Sequence, residues 1–307
     1  MRIIFMGTPD FAVASLDALV QHGYDVVAVI TAPDKPAGRG LQLQQSAVKQ
    51  YAVSRDIPVM QPEKLKNPAF LEELRSYKAD LQVVVAFRML PELVWDMPPL
   101  GTINVHASLL PQYRGAAPIN WAIINGEKES GVTTFKLQHE IDTGNILFSA
   151  KVPIRDDETA GELHDALMQA GADVLIKTVA ALAGGGIEGT VQNNIPADQL
   201  KHAPKIFKDD CRINWEKPVE EIYNLIRGLS PYPTAFTTLQ GKTLKIFKAV
   251  KEPGVHAHAA GSAHSDHKTY LKFATEGGYI RVEELQLEGK KKMGVEEFLR
   301  GFRFEVK

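Results

Sequence analysis

The chain has 307 residues, 44% hydrophobic and 23% charged, with a formal net charge of -2. This is the composition of a globular enzyme, with room for two domains at roughly 100–200 residues each, and its total charge gives no pull toward nucleic acid. The single cysteine, Cys211, excludes an internal disulfide and a cysteine-based zinc site.

"RIIFMG" begins as an apolar strand closed by Gly7; Phe11 to His22 then has helical spacing with Gly23 just past it, and "DVVAVI" is a second buried strand. Strand, helix, strand predicts a βαβ unit and a parallel sheet. Residues 31–45, "TAPDKPAGRGLQLQQ", are rich in Pro and Gly and predict a loop. "SAVKQYAVSRD" predicts a helix, "IPVMQP" a short strand and "NPAFLEELRSYKAD" a helix with an Asn-Pro start. "LQVVVAF" is a β-branched run suited to a strand buried on both faces. After "GTINVHASLLP" come a helix near 117–125, strands around 132–137 and 145–152, and a long amphipathic helix from a Thr159 N-cap to a glycine stop. The sum is a doubly wound α/β fold on a mostly parallel sheet. No segment approaches the ~18 apolar residues of a membrane span, and the N-terminal stretch carries neither a secretory nor a transit pattern. A cytoplasmic protein, not bound to a membrane, is expected.

"GIEGTVQNNIPADQLKHAPK" is polar and of low periodicity, as a linker would be. Beyond it lie a helix, "PVEEIYNLIRGL", and short alternating runs joined by glycine turns, the pattern of a small OB-like β-barrel. The expected boundaries are 1–189 for a catalytic domain, 190–207 for the linker and 208–307 for the barrel. From Lys208 onward there are 17 Lys+Arg against 14 Asp+Glu, a slight basic excess compatible with an RNA-contacting appendage.

In "TINVH", alternation sends Asn104 and His106 to one face, about 6.6–6.8 Å apart along the strand. Ligands of open α/β sheets bind outside the carboxyl ends of strands. There an amide donor beside a titratable ring suits a developing oxyanion and a proton transfer. A buried Asn–His pair that only satisfies nearby backbone is the competing reading. The Leu-Leu-Pro stop and the "RGAAP" turn that follow favour the site. Downstream, "DTG" places Asp142 between two predicted strands, where it is either a local turn residue or a carboxylate that orients His106.

Other motifs weigh less. "RGAAP" lacks the Gly-Lys-Ser/Thr ending of a phosphate loop, and "GTPDF", with one glycine and Pro9, is a poor dinucleotide site. His256, His258, His264 and His267 lie in a Gly/Ala/Ser-rich stretch that reads as a solvated hairpin rather than a metal site. No metal is expected. "GKKKM", 289–293, is a charged turn that could meet phosphate.

Taken together, "NVHASLLPQYRGAAPI" and the later "DTG" resemble the 10-formyltetrahydrofolate-dependent formyltransferases. "RIIFMGTPDFA", "PDKPAGRG", "HAPKIFKDDCRINW" and "GKKKMGVEEFLRG" carry the resemblance from residue 2 to about residue 303. It implies an enzyme with 10-formyltetrahydrofolate as co-substrate, and with Asn104, His106 and Asp142 as catalytic residues. It also implies a folate site along Ser108, Leu109, Leu110 and Pro111, helped by Val85, Ala86 and Phe87. "AFRMLP" departs here from the Tyr-Gly more usual in the family after the alanine. The "PDKPAGRG" loop and the barrel point to the branch whose acceptor is the α-amine of methionine on initiator tRNA. Lys35, Arg39, Lys49, Lys290 and Lys291 are then the RNA contacts, and a monomer is expected. The alternatives are an amino sugar nucleotide or glycinamide nucleotide acceptor, and a noncatalytic RNA-binding protein on the same scaffold.

Overall fold

The computed structural model describes residues 1–37, 42–140, 142–192 and 196–303. The chain forms two compact units: Met1–Gly115, Ser130–Val152 and His164–His202 in the first, and Ala116–Glu129, Pro153–Leu163 and the chain from Ala203 onward in the second.

The first unit is built on a seven-stranded sheet. Its strands run, in spatial order, Ile146–Pro153, Glu129–Lys136, Thr102–His106, Leu81–Val85, Arg2–Gly7, Asp25–Ile30 and Val59–Met60. The last five are mutually parallel, and Glu129–Lys136 runs antiparallel to Thr102–His106. Register aligns Ile30, Met6, Val84, Asn104 and Phe135 in one row. Ile30, Met6 and Val84 belong to a core completed by Ile4, Ala28, Phe70, Leu74 and Val94. Asn104 is thus a carboxamide set in a row of apolar side chains, a placement that hydrophobic burial alone would not select.

The opposite face meets the long helix Ala160–Ala183. Gly171 sits so close to Val105 and Val132 that a Cβ there would lie 3.3 and 3.6 Å from them. The Thr134 and Thr178 hydroxyls hydrogen-bond at 2.7 Å. The helix starts as expected: Thr159 Oγ1 accepts from the Glu162 N–H at 3.3 Å, and Glu162 accepts from the Thr159 N–H at 2.8 Å, a reciprocal cap. Leu167, Leu175, Val179 and Leu182 are buried, each worth roughly 1.5–3 kcal/mol of burial. One expectation is corrected here. This helix is long and apolar enough, by length and composition, to cross a membrane, with a mean hydropathy of 1.4 over its most apolar window. Much of that apolarity is the stripe it needs to pack within the fold.

The expected loop at 31–45 contains a small antiparallel pair, Lys35–Ala37 with Gln42–Gln44. Strands of three residues are too short to leave a period in the sequence.

In the second unit the sheet order is Ala235–Leu239, Lys242–Pro253, Gly278–Leu287, Leu271–Thr275 and Ala263–Ser265, with Met293–Gly294 paired to Gly278–Leu287. Neighbours are antiparallel. The path is open at both ends, so the expected barrel is a curled half-barrel. Register shifts between Ile246 and Ala249 mark where the longest strand departs from regular pairing, the kind of irregularity that bends a strand. Helix Val219–Gly228 sends Ile222 and Ile226 into a core with Leu244, Ile246, Phe273 and Leu285. Trp215 stacks on Phe273 at 4.6 Å. A short helix, Val295–Gly301, unforeseen in the sequence, buries Phe298 and Leu299.

Candidate active site

The strand Thr102–His106 lies between Leu81–Val85 and Glu129–Lys136, so its residues are fixed from both sides. Alternation puts Asn104 and His106 on one face, as the sequence implies. Asn104 is half-buried, and its carboxamide has no hydrogen-bond partner among the described residues. His106 is 7% exposed, with Nε2 2.9 Å from the Tyr113 carbonyl oxygen. A carbonyl only accepts, so Nε2 carries a hydrogen. The other nitrogen, Nδ1, faces Asp142 Oδ2 at 3.9 Å, within ion-pair reach. Phe135 lies edge-on to the imidazole at 6.5 Å between centroids.

Asp142 comes from a loop far along the chain, and its side chain is 11% exposed. Its φ of 55° is left-handed, a region that Asp enters more easily than most residues. The Gly115 N–H donates to Oδ2 at 3.1 Å. Gly144 closes the loop against Lys136, whose carbonyl oxygen would be 1.6 Å from any Cβ at that position. No other residue fits there.

The Ser108–Pro111 segment is tied down by its own polar groups. The Ser108 hydroxyl donates to the Gln112 carbonyl at 2.7 Å. The Thr133 hydroxyl donates to the Ser108 carbonyl at 2.7 Å and accepts from the Leu110 N–H at 3.2 Å. Ser108 and Leu110 are buried, Leu109 packs against Gly131, and Pro111 is half-buried.

Val85 is buried at its strand end, Ala86 is exposed with φ 47°, and Phe87 packs on the sheet core. Arg88 then reaches back, donating to the Glu63 carbonyl at 2.9 Å and to that of Pro62. Beside this turn is a cavity of about 590 Å³ lined by Leu65, Lys66 and residues 88–93. Met89 and Leu93 stand 73% and 63% exposed there.

The five expected RNA contacts have different fates. Lys35 is exposed. Lys49 is engaged with Asp34 at 2.5 Å, with both side chains largely buried. Hydrogen bonds from Lys49 and then Gln61 hold the Asp34 carboxyl below its usual range. Arg39 lies outside the described residues. Lys290 is exposed, and Lys291 makes a loose surface pair with Glu297 at 3.7 Å, worth ~0–1 kcal/mol.

Sequence reasoning did not pick out Arg114 or Gln192. The Gln192 carboxamide donates to the carbonyls of Asp142 and Gly144 at 2.8 and 2.9 Å. Its oxygen accepts from Arg114 Nε at 3.1 Å and from Arg114 Nη2. The stretch expected to be a linker is therefore in part packed against the candidate site. Further along it, the Lys201 carbonyl accepts from the Tyr113 N–H at 2.6 Å, and the Lys201 N–H donates to Gln112 Oε1 at 2.8 Å.

In the second unit, His256, His258 and His264 crowd around Tyr279. The rings of His258 and His264 are 4.1 Å apart, and those of His256 and Tyr279 are 4.4 Å apart. Among the described residues, no group of three or more His, Cys, Asp or Glu is arranged to hold a metal ion.

Comparison with known proteins gives this geometry its class. The chain belongs to the formyl transferase family: residues 1–179 match the formyl transferase domain and residues 205–303 the formyl transferase C-terminal domain. It is an enzyme of formyl transfer with a formyltetrahydrofolate donor. Among its relatives, the methionyl-tRNA formyltransferase of Parabacteroides distasonis is 58% identical over 99% of this chain and 96% of its own. That of Bacteroides fragilis is 54% identical over 98% of this chain and 95% of its own. The fold also matches an N-formyltransferase from Helicobacter canadensis, solved in complex with folinic acid and dTDP-3-aminofucose. The TM-score is 0.69 at 22% identity, covering 95% of this chain and 99% of that one.

Proposed function

We propose that this enzyme transfers the formyl group of 10-formyltetrahydrofolate to the α-amine of methionyl-initiator tRNA, giving N-formylmethionyl-tRNA for translation initiation. The catalytic residues are Asn104, His106 and Asp142. The observation that carries the proposal is the Asp142 carboxylate facing His106 Nδ1 at 3.9 Å, on the strand whose Asn104 carboxamide has no partner among the described residues. The choice of acceptor rests on the relatives above: those 58% and 54% identical carry the methionyl-tRNA name, whereas the sugar-binding neighbour is 22% identical.

In the reaction a bond forms between the amine nitrogen and the formyl carbon, and the bond from that carbon to N10 of the folate breaks. The amine loses a proton and N10 gains one. Asn104 donates to the formyl oxygen as negative charge develops on it, a contact typically worth 10²–10³ in rate. His106 holds its Nε2 hydrogen on Tyr113, so Nδ1 is the nitrogen that works with Asp142 to pass the amine's proton onward. The cavity beside residues 88–93 has the size of a small-molecule site and begins just after Val85, Ala86 and Phe87. It is the proposed place for the flat ring of the folate, and the backbone of residues 108–111, held by Thr133, is a further proposed contact.

Residues 1–189 form the catalytic domain in this proposal, with 190–207 joining it to a tRNA-binding domain at 208–307. Lys35, Arg39, Lys290 and Lys291 are the proposed RNA contacts, and Lys49 supports the first loop through Asp34. The enzyme works in the cytoplasm, where charged initiator tRNA is found. The proposed enzyme acts as a monomer.

The test is acceptor competition, with labelled 10-formyltetrahydrofolate offered charged initiator tRNA, elongator methionyl-tRNA and a nucleotide-linked amino sugar. Label on initiator methionyl-tRNA alone is the expected result. Label on the sugar would replace the proposed acceptor, and tight RNA binding with no transfer would refute the catalytic assignment.

A further inference from the structure

Residues 180–204 lie between the two stretches matched to the family, and their composition is that of a polar connector. Within them Gln192 is 6% exposed while Val191 beside it is 70% exposed. Burial of apolar surface would favour the reverse. A buried glutamine needs partners for two N–H donors and an oxygen, and Gln192 has all of them. Both donors go to the Asp142 loop, at 2.8 Å to the carbonyl of Asp142 and 2.9 Å to that of Gly144. Its oxygen faces the Arg114 guanidinium, 3.1 Å from Nε. Only one orientation of the amide satisfies this set, because a carbonyl cannot donate and a guanidinium cannot accept.

The contacts close a ring. Arg114 is followed by Gly115, whose N–H donates to Asp142 Oδ2 at 3.1 Å. Asp142 is therefore gripped at its carboxylate by Gly115 and at its backbone by Gln192, while its φ is 55°. Non-glycine residues persist in that region when the surroundings fix them. We infer that Gln192 is the positioning residue for Asp142, setting the carboxylate against His106 Nδ1, and that Arg114 orients Gln192. The inference rests on the role proposed above for Asp142.

The experiment compares Gln192→Ala and Gln192→Glu with the wild type in formyl transfer. Glutamate keeps an acceptor for Arg114 but has no N–H for the two carbonyls, so both variants are expected to lose about 10–100-fold in kcat. KM for folate and for the acceptor should stay within about twofold. In an Asp142→Ala background, Gln192→Ala should cost less than about twofold more, because nothing remains to be positioned. Wild-type kcat in Gln192→Ala would overturn the inference. So would an equal fractional loss in the Asp142→Ala background, which would mark a general structural role. Loss of folding in both variants, read by thermal unfolding, would assign Gln192 to stability and overturn it as well. If the wild type formylates a sugar amine instead of methionyl-tRNA, the acceptor is wrong, and the same measurements on that amine still decide the role of Gln192. A fully active Asp142→Ala variant would remove the carboxylate's role and the inference with it.

Discussion

Both units place histidine beside aromatic rings, with different outcomes. In the first, His106 has an acceptor opposite each nitrogen, the Tyr113 carbonyl at 2.9 Å and the Asp142 carboxylate at 3.9 Å. In the second, His256 donates from Nε2 to the Gly278 carbonyl at 2.8 Å and accepts the His258 N–H at 3.2 Å. His258 lies against His264, and Lys272 sits 4.1 Å above the Tyr279 ring. Among the described residues no carboxylate pairs with His256, His258 or His264; Glu252, the nearby acid, is held by Lys272 and Arg281. Burial pushes the pKa of His264 down, reinforced by repulsion from His258, Lys272 and His256. In the proposed mechanism the first region differs by an acid opposite one nitrogen and, on the same strand face, a donor without a partner among the described residues; the second region has neither feature among them.

The contrast would break most plainly at His106. His106→Ala is expected to lose about 10²–10⁴-fold in kcat while keeping its circular dichroism spectrum, and a variant that still turns over normally would erase the distinction between the regions. Asn104→Ala should lose about 10²–10³-fold in kcat with folate binding retained; weaker folate binding at unchanged kcat would move Asn104 from the chemistry to the binding site. In the second unit, Lys290→Ala and Lys291→Ala should each lower the salt slope of tRNA binding by about one without slowing single-turnover transfer. A slope unchanged in both would remove them as phosphate contacts. The smallest effect is expected at His264. Its folded pKa is depressed, so its stabilising contribution is complete above about pH 6.5 and is lost as pH falls through the folded value. His264→Gln removes that dependence. Its melting temperature should fall less than the wild type's between about pH 7.5 and pH 5.5, with activity at neutral pH unchanged; an identical fall would show that this ring is not the group that titrates.

How legible each part was in the sequence follows from how local its cause is. Asn104 and His106 share a face because strands alternate, and five letters contain that fact. Asp142 could be marked in the sequence only as one of two readings, a turn residue or a carboxylate for His106, because a long-range contact leaves no period. Gln192 was invisible for a sharper reason: its burial depends on two carbonyls about 50 residues earlier, and it stands in a stretch of low periodicity. Lys49 looked like a free cation, since nothing in the sequence announces that Asp34 will claim it. The paired strands at Lys35–Ala37 and Gln42–Gln44 and the helix Val295–Gly301 were too short for periodicity to register. The β-rich second unit was legible as alternation, but its open edge depends on which strands become neighbours, which pattern alone does not specify.

The helix Ala160–Ala183 carries a consequence for biosynthesis. Every strand of the seven-stranded sheet lies before it in the chain, so a ribosome finishes those strands before this long apolar helix emerges. A greasy segment made after its sheet finds its docking face already waiting. A circularly permuted chain that began with this helix would emerge with the same segment bare, at the stage when translocation machinery inspects nascent polypeptides for just such stretches.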